Sequence, residues 1–302
     1  MTKQPLVSIG MPVYNCESTV GDAIASILNQ TFTDWELIIC DDGSHDRTVA
    51  AASQFSDPRI RILREGTNLG LPARLNQIIS ACNSEFFARM DGDDIAYPRR
   101  LELQIQTLES NPTIDLLGGS AIIINRQGKA IGFRRALETH QEICGHPWCF
   151  SNLIHVTWMG RTRWFRENPY DESLTHSQDR ALLLRTRRHS RFAALQDTLA
   201  GVREDRPVWS KLVLARRQLV RATLAEGVRQ RDLGLLFISP LAEMMKLALD
   251  AVATSTSLGH RILRHRVPFV SSGQIEEWNE VFEAVRLRET NEIGSMETVS
   301  LP

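Results

Sequence analysis

Four short apolar segments, at 6–13, 36–40, 60–63 and 86–90, each run into a polar turn and then into a stretch with apolar residues at helical spacing. A chain that alternates in this way has few folds open to it. The strands must lie side by side and each helix must cross back over the sheet, so a β-α-β-α unit with a parallel sheet is expected. The intervening helices are expected at 19–29, 46–56 and 71–82, the first with Val20, Ile24, Ile27 and Leu28 on one face. Pro98 suits the start of a further helix, whose buried stripe is Leu101, Ile105 and Leu108. Another strand is expected at 116–124, ending at a turn around Gln127-Gly128. After Gly132 the alternation fades, and the chain is expected to be helical and Arg-rich as far as Gln230.

In open α/β sheets ligands bind outside the carboxyl ends of the strands. Here those ends are polar: Tyr14 and Asn15 after the first, Asp41 and Asp42 after the second, and Asp91, Asp93 and Asp94 after the fourth. Three carboxylates so close raise one another's pKa unless a cation or a hydrogen-bond donor relieves them. An Asp-x-Asp pair at a strand end suits Mg²⁺ or Mn²⁺, which take oxygen ligands; a solvated acidic turn capping the next helix is the alternative. Asp41-Asp42-Gly43-Ser44 offers a carboxylate to a nucleobase or ribose, or serves as a helix cap. Tyr14 could stack on a base or simply sit at the rim.

The 302 residues are 42% hydrophobic and 24% charged, enough for one main domain with an appended C-terminal piece. A net charge of -1 hides an asymmetry: acidic residues prevail up to residue 150, whereas Arg dominates 161–266. Five cysteines with no paired framework favour a reducing compartment, and the first nine residues hold no apolar signal core, so a cytoplasmic location is expected.

Taken in order, Pro12-Val13-Tyr14-Asn15, Asp41-Asp42-Gly43-Ser44, Asn68-Leu69-Gly70-Leu71 and Asp91-Gly92-Asp93-Asp94 resemble the signature of glycosyltransferase family 2. The resemblance implies a GT-A fold, an α/β architecture with a mostly parallel central sheet flanked by helices, over 1–205, followed by a helical, partly amphipathic region over 206–302. It implies an inverting hexosyltransferase that uses a nucleotide-diphospho-sugar donor, expected to be a UDP-sugar, with Mg²⁺ or Mn²⁺. The implied acceptor is a saccharide or lipid-linked sugar in cell-surface polysaccharide or glycolipid assembly. By position, Pro12 and Tyr14 lie against the base, Asp42 binds its edge, Asp91 approaches the ribose and Asp93 holds the metal, while Asp94 is a supporting ligand or a helix cap. The family's catalytic base maps to Asp179 in His176-Ser177-Gln178-Asp179, where Gln178 replaces the usual Glu. His155, placed on a strand towards the acceptor side, corresponds to a family histidine that contacts the diphosphate or shapes the metal site.

Two rivals are weighed against this. A phosphotransferase of the Asp-x-Asp type needs a nucleophilic Asp on the first strand, and Met11 to Asn15 contains none. A non-catalytic nucleotide-sugar or membrane-binding protein that keeps the fold is favoured by Gln178. Cys144-Gly145-His146-Pro147-Trp148-Cys149 lacks a clear fourth zinc ligand and reads as thiols in a tight turn. The Arg-rich half has no interleaved stacking aromatics, so nucleic acid is not expected. The apolar stretch 235–254 is long enough to cross a bilayer, but Glu243, Lys246 and Asp250 fall on one helical face, which makes it amphipathic. With the basic run 260–266 it reads as a contact with an anionic membrane surface, peripheral at the inner face, or as a helix packed on the domain with a solvated basic edge.

Overall fold

The computed structural model describes residues 4–64, 66–145, 153–204, 209–255 and 269–299. The expected alternation is present: β1 (Val7–Val13), α1 (Val20–Leu28), β2 (Trp35–Asp41), α2 (Thr48–Ala52), β3 (Ile60–Arg64), α3 (Leu71–Ala81) and β4 (Phe86–Arg89). β5 (Ile95–Ala96), α4 (Arg100–Ser110), β6 (Leu116–Ile124), β7 (Ala130–Arg134) and α5 (His140–Cys144) follow. A 3-10 turn at His155–Thr157 leads to β8 (Met159–Arg161), α6 (Thr162–Glu167), α7 (Gln178–Thr186) and β9 (Phe192–Arg203). The chain ends in α8 (Trp209–Gln230), a π-helical turn (Gly234–Ile238), α9 (Ser239–Ser255) and α10 (Ser272–Val299).

Among the described residues the strands form one sheet in the order β3-β2-β1-β4-β8-β6-β9-β5, with β7 pairing with β6 beyond the short stretch that β8 occupies. The long pairings are parallel, β1 with β2 and β4, β2 with β3, and β6 with β9. Short antiparallel β8 bridges β4 and β6 and so closes the two parallel blocks into one surface. β1 is buried along its whole length: large Val7, Ile9, Met11 and Val13 alternate with small Ser8, Gly10 and Pro12, and at Gly10 a Cβ would collide with Phe87 and Ile78.

The region after Gly132 corrects the expectation of an all-helical continuation, because it contributes β8 and the 12-residue β9. β9 is hard to see in the sequence because its pairing with β6 skips from Leu195 to Thr198, so Gln196 and Asp197 bulge out and break the period of two. The appended C-terminal piece is likewise only partly separate. Trp278 and Val285 of α10 lie in the same buried cluster as β1 and α1, whereas α8 and α9 form a hairpin that packs on α7. No helix among the described residues is long and apolar enough to cross a membrane. Cys149 and the basic run 260–266 lie outside the described residues.

Candidate functional site

Because β2, β1 and β4 are neighbours in the sheet, the polar turns at their carboxyl ends share one edge. The first two turns hold each other: Asn15 N donates to Ser44 Oγ at 3.0 Å and His45 N donates to Asn15 Oδ1 at 2.9 Å. Asn15 takes a left-handed φ of 48°, a conformation asparagine tolerates better than most side chains. At Gly43, with φ 76°, a Cβ would come within 3.1 Å of the backbone at Thr67 and Asn68, so only glycine lets the loop at 67–70 lie against this turn.

That loop is anchored by Asp42. Its Oδ1 accepts from Leu69 N at 2.7 Å and from Arg74 Nε at 2.9 Å, and its Oδ2 accepts from Gly70 N at 3.0 Å. Arg74 is buried and also donates to Thr67 O. Asp42, expected at a base edge, is thus engaged in anchoring the 67–70 loop and does not line the crevice wall.

A crevice of about 370 Å³ opens at this edge, with Pro12, Tyr14, Cys16, Asp91 and Asp93 on its wall beside Arg126 and Arg203. Tyr14 is 46% exposed and meets His45 edge-on, which leaves ring surface towards the crevice mouth. Burial pushes the Cys16 thiol up to about 12, so it stays protonated.

One carboxylate oxygen from each of Asp91, Asp93 and Asp94 lies within 4.8 Å of the others. The protein relieves part of this crowding itself. Arg89, buried in β4, pairs with Asp91 at 2.6 Å, and buried Asp94 accepts the Arg203 backbone N–H at 2.7 Å. The Arg203 side chain donates to Asp93 O at 2.8 Å and to the carbonyls of Asn125 and Arg126 at 3.0 and 2.7 Å, tying the acidic turn to the β6–β7 turn. Burial, then the charges of Asp93 and Asp91, hold Asp94 well above the usual carboxylate range. Although Asp93 reaches the crevice surface, the protein crowded around its carboxylate and then the charge of Asp91 push it up to about 6. Asp91 and Asp93 are hard oxygen donors with residual repulsion at the crevice, a donor set that fits a divalent cation.

His155 lies in the 3-10 turn rather than on a strand, and it is not part of the acidic cluster. Its Nε2 is 2.9 Å from the Tyr170 hydroxyl and its ring packs on Trp158. Burial, then the charge of Arg89, hold it well below the ordinary histidine range, so it is neutral at pH 7. His155, expected near the metal, thus meets Tyr170 and Trp158 here. Tyr170 is buried within electrostatic reach of Arg89, Asp91 and Asp179, which links the acidic turn to the head of α7. Asp179 is half-buried in the first turn of that helix and is not on the crevice wall. Gln178 beside it is buried, with no hydrogen-bond partner for Oε1 among the described residues.

Arg100 is a further buried cation that no motif announced. It donates to Arg89 O at 2.6 Å and Val156 O at 2.8 Å, joining the strand below the acidic turn to the His155 turn. Its burial, then Arg89, bring its pKa down to about 9. Arg126 could have been suspected from its place beside the Gln127-Gly128 turn; Arg203 and Tyr170 carried no local signal.

A mostly parallel sheet with its carboxylates gathered at the strand ends places a ligand crevice at this edge. The model of glycosyl transferase family 2 matches residues 8–167, so the chain belongs to that family. Bacillus subtilis (strain 168) EpsE is 40% identical over 131 residues, 42% of this chain and 47% of that protein. The Escherichia coli UDP-Glc:alpha-D-GlcNAc-diphosphoundecaprenol beta-1,3-glucosyltransferase WfgD is 31% identical over 195 residues, 63% of this chain and 73% of that protein. The chain thus spans just under half of EpsE and just under three-quarters of WfgD. S. aureus TarS 1-349 in complex with UDP superposes with a TM-score of 0.60 at 15% identity, covering 95% of this chain and 88% of TarS 1-349. The Pyrobaculum calidifontis mannosyltransferase PcManGT, in complex with GDP-Man and Mn2+, gives 0.58 at 15% identity, covering 97% and 88%. The fold is GT-A, mixed α/β with a mostly parallel sheet and C-terminal helices.

Proposed function

We propose that the protein is a metal-dependent inverting hexosyltransferase that moves a sugar from a UDP-sugar to a saccharide or lipid-linked acceptor in cell-surface polysaccharide or glycolipid assembly. The observation that carries this reading is the crevice that joins Pro12 and Tyr14 to the Asp91/Asp93 oxygen pair. WfgD, named for UDP-Glc and a diphosphoundecaprenol-linked acceptor, supports the choice of substrates. The UDP complex of TarS supports the nucleotide, and the Mn2+ in the PcManGT complex supports the metal.

In this reading Tyr14 stacks on the base with Pro12 beneath it, Asp91 holds the ribose, and Arg126 and Arg203 offer positive charge to the diphosphate. Asp91 and Asp93 would hold Mg²⁺ or Mn²⁺, which draws negative charge off the departing diphosphate. Asp179 accepts the proton of the acceptor hydroxyl as that oxygen bonds to the anomeric carbon and the bond to the diphosphate breaks, inverting the centre. His155, neutral and bonded to Tyr170, orients the wall between the two carboxylate groups. The protein works in the cytoplasm, peripheral at the inner face of the membrane.

Thermal stabilisation by a panel of nucleotide-sugars, with and without Mn²⁺, tests the donor: a ligand at a hundredfold excess over its Kd adds about 2.7 kcal/mol to stability. Asp93→Ala should lose the metal-dependent part of that stabilisation, and unchanged metal-dependent binding in a folded variant would sink the metal assignment. Asp179→Asn should bind donor normally and lose ~10²–10⁴-fold in transfer. Near-normal transfer by that variant would place the base elsewhere, and absence of transfer by the wild-type protein with donor bound would favour a binding protein.

A further inference from the structure

The α8–α9 hairpin exposes apolar and basic side chains while its acids are buried or paired. On α9, Leu241, Met244, Met245 and Leu249 recur at three- and four-residue spacing and are 53–66% exposed, and Phe237 in the turn before them is 69% exposed. On α8 and at its end, Lys211, Arg217, Arg221, Arg229 and Arg231 are exposed. Every acidic residue from Trp209 to Ala251 is instead turned inward or half-buried: Glu226 pairs with Arg229, Asp232 with Arg187 and Arg188, and Glu243 and Asp250 with Arg216. Glu243 and Asp250 are only 2% and 1% exposed. The charged side of the amphipathic α9 is thus spent inside the hairpin, and its apolar side faces out.

We infer that this hairpin surface is the seat of the protein on a bilayer containing anionic phospholipid, with the apolar side chains of α9 entering the headgroup–acyl boundary and the α8 arginines meeting lipid phosphates. The inference deepens the peripheral placement proposed for the transferase and names its surface. Flexible Leu, Met and Phe side chains gain from leaving water for the acyl boundary, and basic residues with no exposed acid among them are complementary to an anionic leaflet. Symmetric pairing of two such faces would oppose like charges, which disfavours a dimer through this surface. Each of these apolar side chains is more than half exposed, and the basic residues beside them select the anionic interface.

Co-sedimentation of the full chain with phosphatidylglycerol-containing and with pure phosphatidylcholine vesicles tests the inference. Binding to the anionic vesicles, weakened as salt screens the charges, is expected. Arg217→Ala with Arg221→Ala should lower the partition coefficient by about fivefold per residue, and Leu241→Glu with Met245→Glu should abolish pelleting. In all variants an unchanged melting temperature and unchanged stabilisation by nucleotide-sugar show that the fold and the crevice are intact, so failure of the membrane surface is distinguishable from failure of the donor site. The inference is overturned by no pelleting with anionic vesicles at low ionic strength, by equal pelleting with both vesicle types, or by self-association through the same residues without lipid. Salt-sensitive binding to oligonucleotide that vesicles do not compete would also overturn it.

Discussion

α9 and α10, successive helices among the described residues, invert each other's surface chemistry. α10 turns its apolar side inward: Trp278 is fully buried, its Nε1 donates to Gly128 O at 2.7 Å, and it stacks on Phe282, while Glu276, Glu277, Glu280 and Glu283 face out. α9 buries its carboxylates against Arg216 and exposes Leu, Met and Phe. The difference shows that an amphipathic pattern states only that a helix has two sides. Which side meets the protein depends on what the neighbouring element offers, an apolar floor for α10 and a guanidinium for α9. The two helices also relate differently to the crevice. Trp278 packs on Gly201, two residues before Arg203, and Phe282 packs on Gly128, two residues after Arg126; a Cβ on either glycine would collide with the aromatic ring. α10 therefore buttresses the arginine-bearing wall, while α9 stands apart from it.

The sharpest way to break this comparison is Trp278→Ala. It removes a buried indole and a hydrogen bond, so a loss of about 3–5 kcal/mol is expected in urea unfolding. Weaker nucleotide binding should accompany it, because the turn that carries Arg126 is no longer held. A loss below about 1 kcal/mol would mean that α10 is not part of the core.

A smaller effect, set by pH, probes the contact between α10 and α1. Burial pushes Asp22 up to about 7, with Glu289 adding to this against the pull of Arg286 and Arg203. Its ion pair with Arg286 at 3.1 Å does not compensate fully. A carboxyl protonated more readily in the folded chain than in the unfolded one contributes stability in full below its unfolded pKa of about 4. That contribution is lost as pH rises through about 7. Asp22→Asn should therefore show less decline of Tm than wild type between those limits, and parallel curves for the two proteins would refute the shift.

The smallest effect is expected on α9, where Leu249→Ala should change stability by no more than about 0.5 kcal/mol because the side chain already faces out. A loss of 2 kcal/mol or more, in the range of a buried Leu→Ala, would show that the face is covered in solution.

Much of the crevice edge is legible in the sequence. Short apolar runs ending in Tyr14, Asp41 and Asp91 carry strand period and ligand chemistry within a few residues, and parallel pairing then brings them to one edge. Arg203 was not legible, since it closes a strand disguised by the bulge at Gln196 and Asp197. Tyr170 gains meaning only from meeting His155 across 15 residues. Gln178 could be recognised as a departure from the family pattern, but the burial of its Oε1 without a hydrogen bond among the described residues could not.

By itself the sequence determined what is local: the β-α alternation, the carboxylates at the strand ends and the two-sidedness of the C-terminal helices, because backbone periodicity and hydrogen-bonding chemistry act over a few residues. Only the tertiary structure decided that Asp42 would anchor a loop, that His155 would turn to Tyr170, and that α9 would hide its acids while α10 hid its tryptophan. Each of those outcomes depends on a partner distant in sequence, and the free energy of burial or pairing is fixed by which partner arrives.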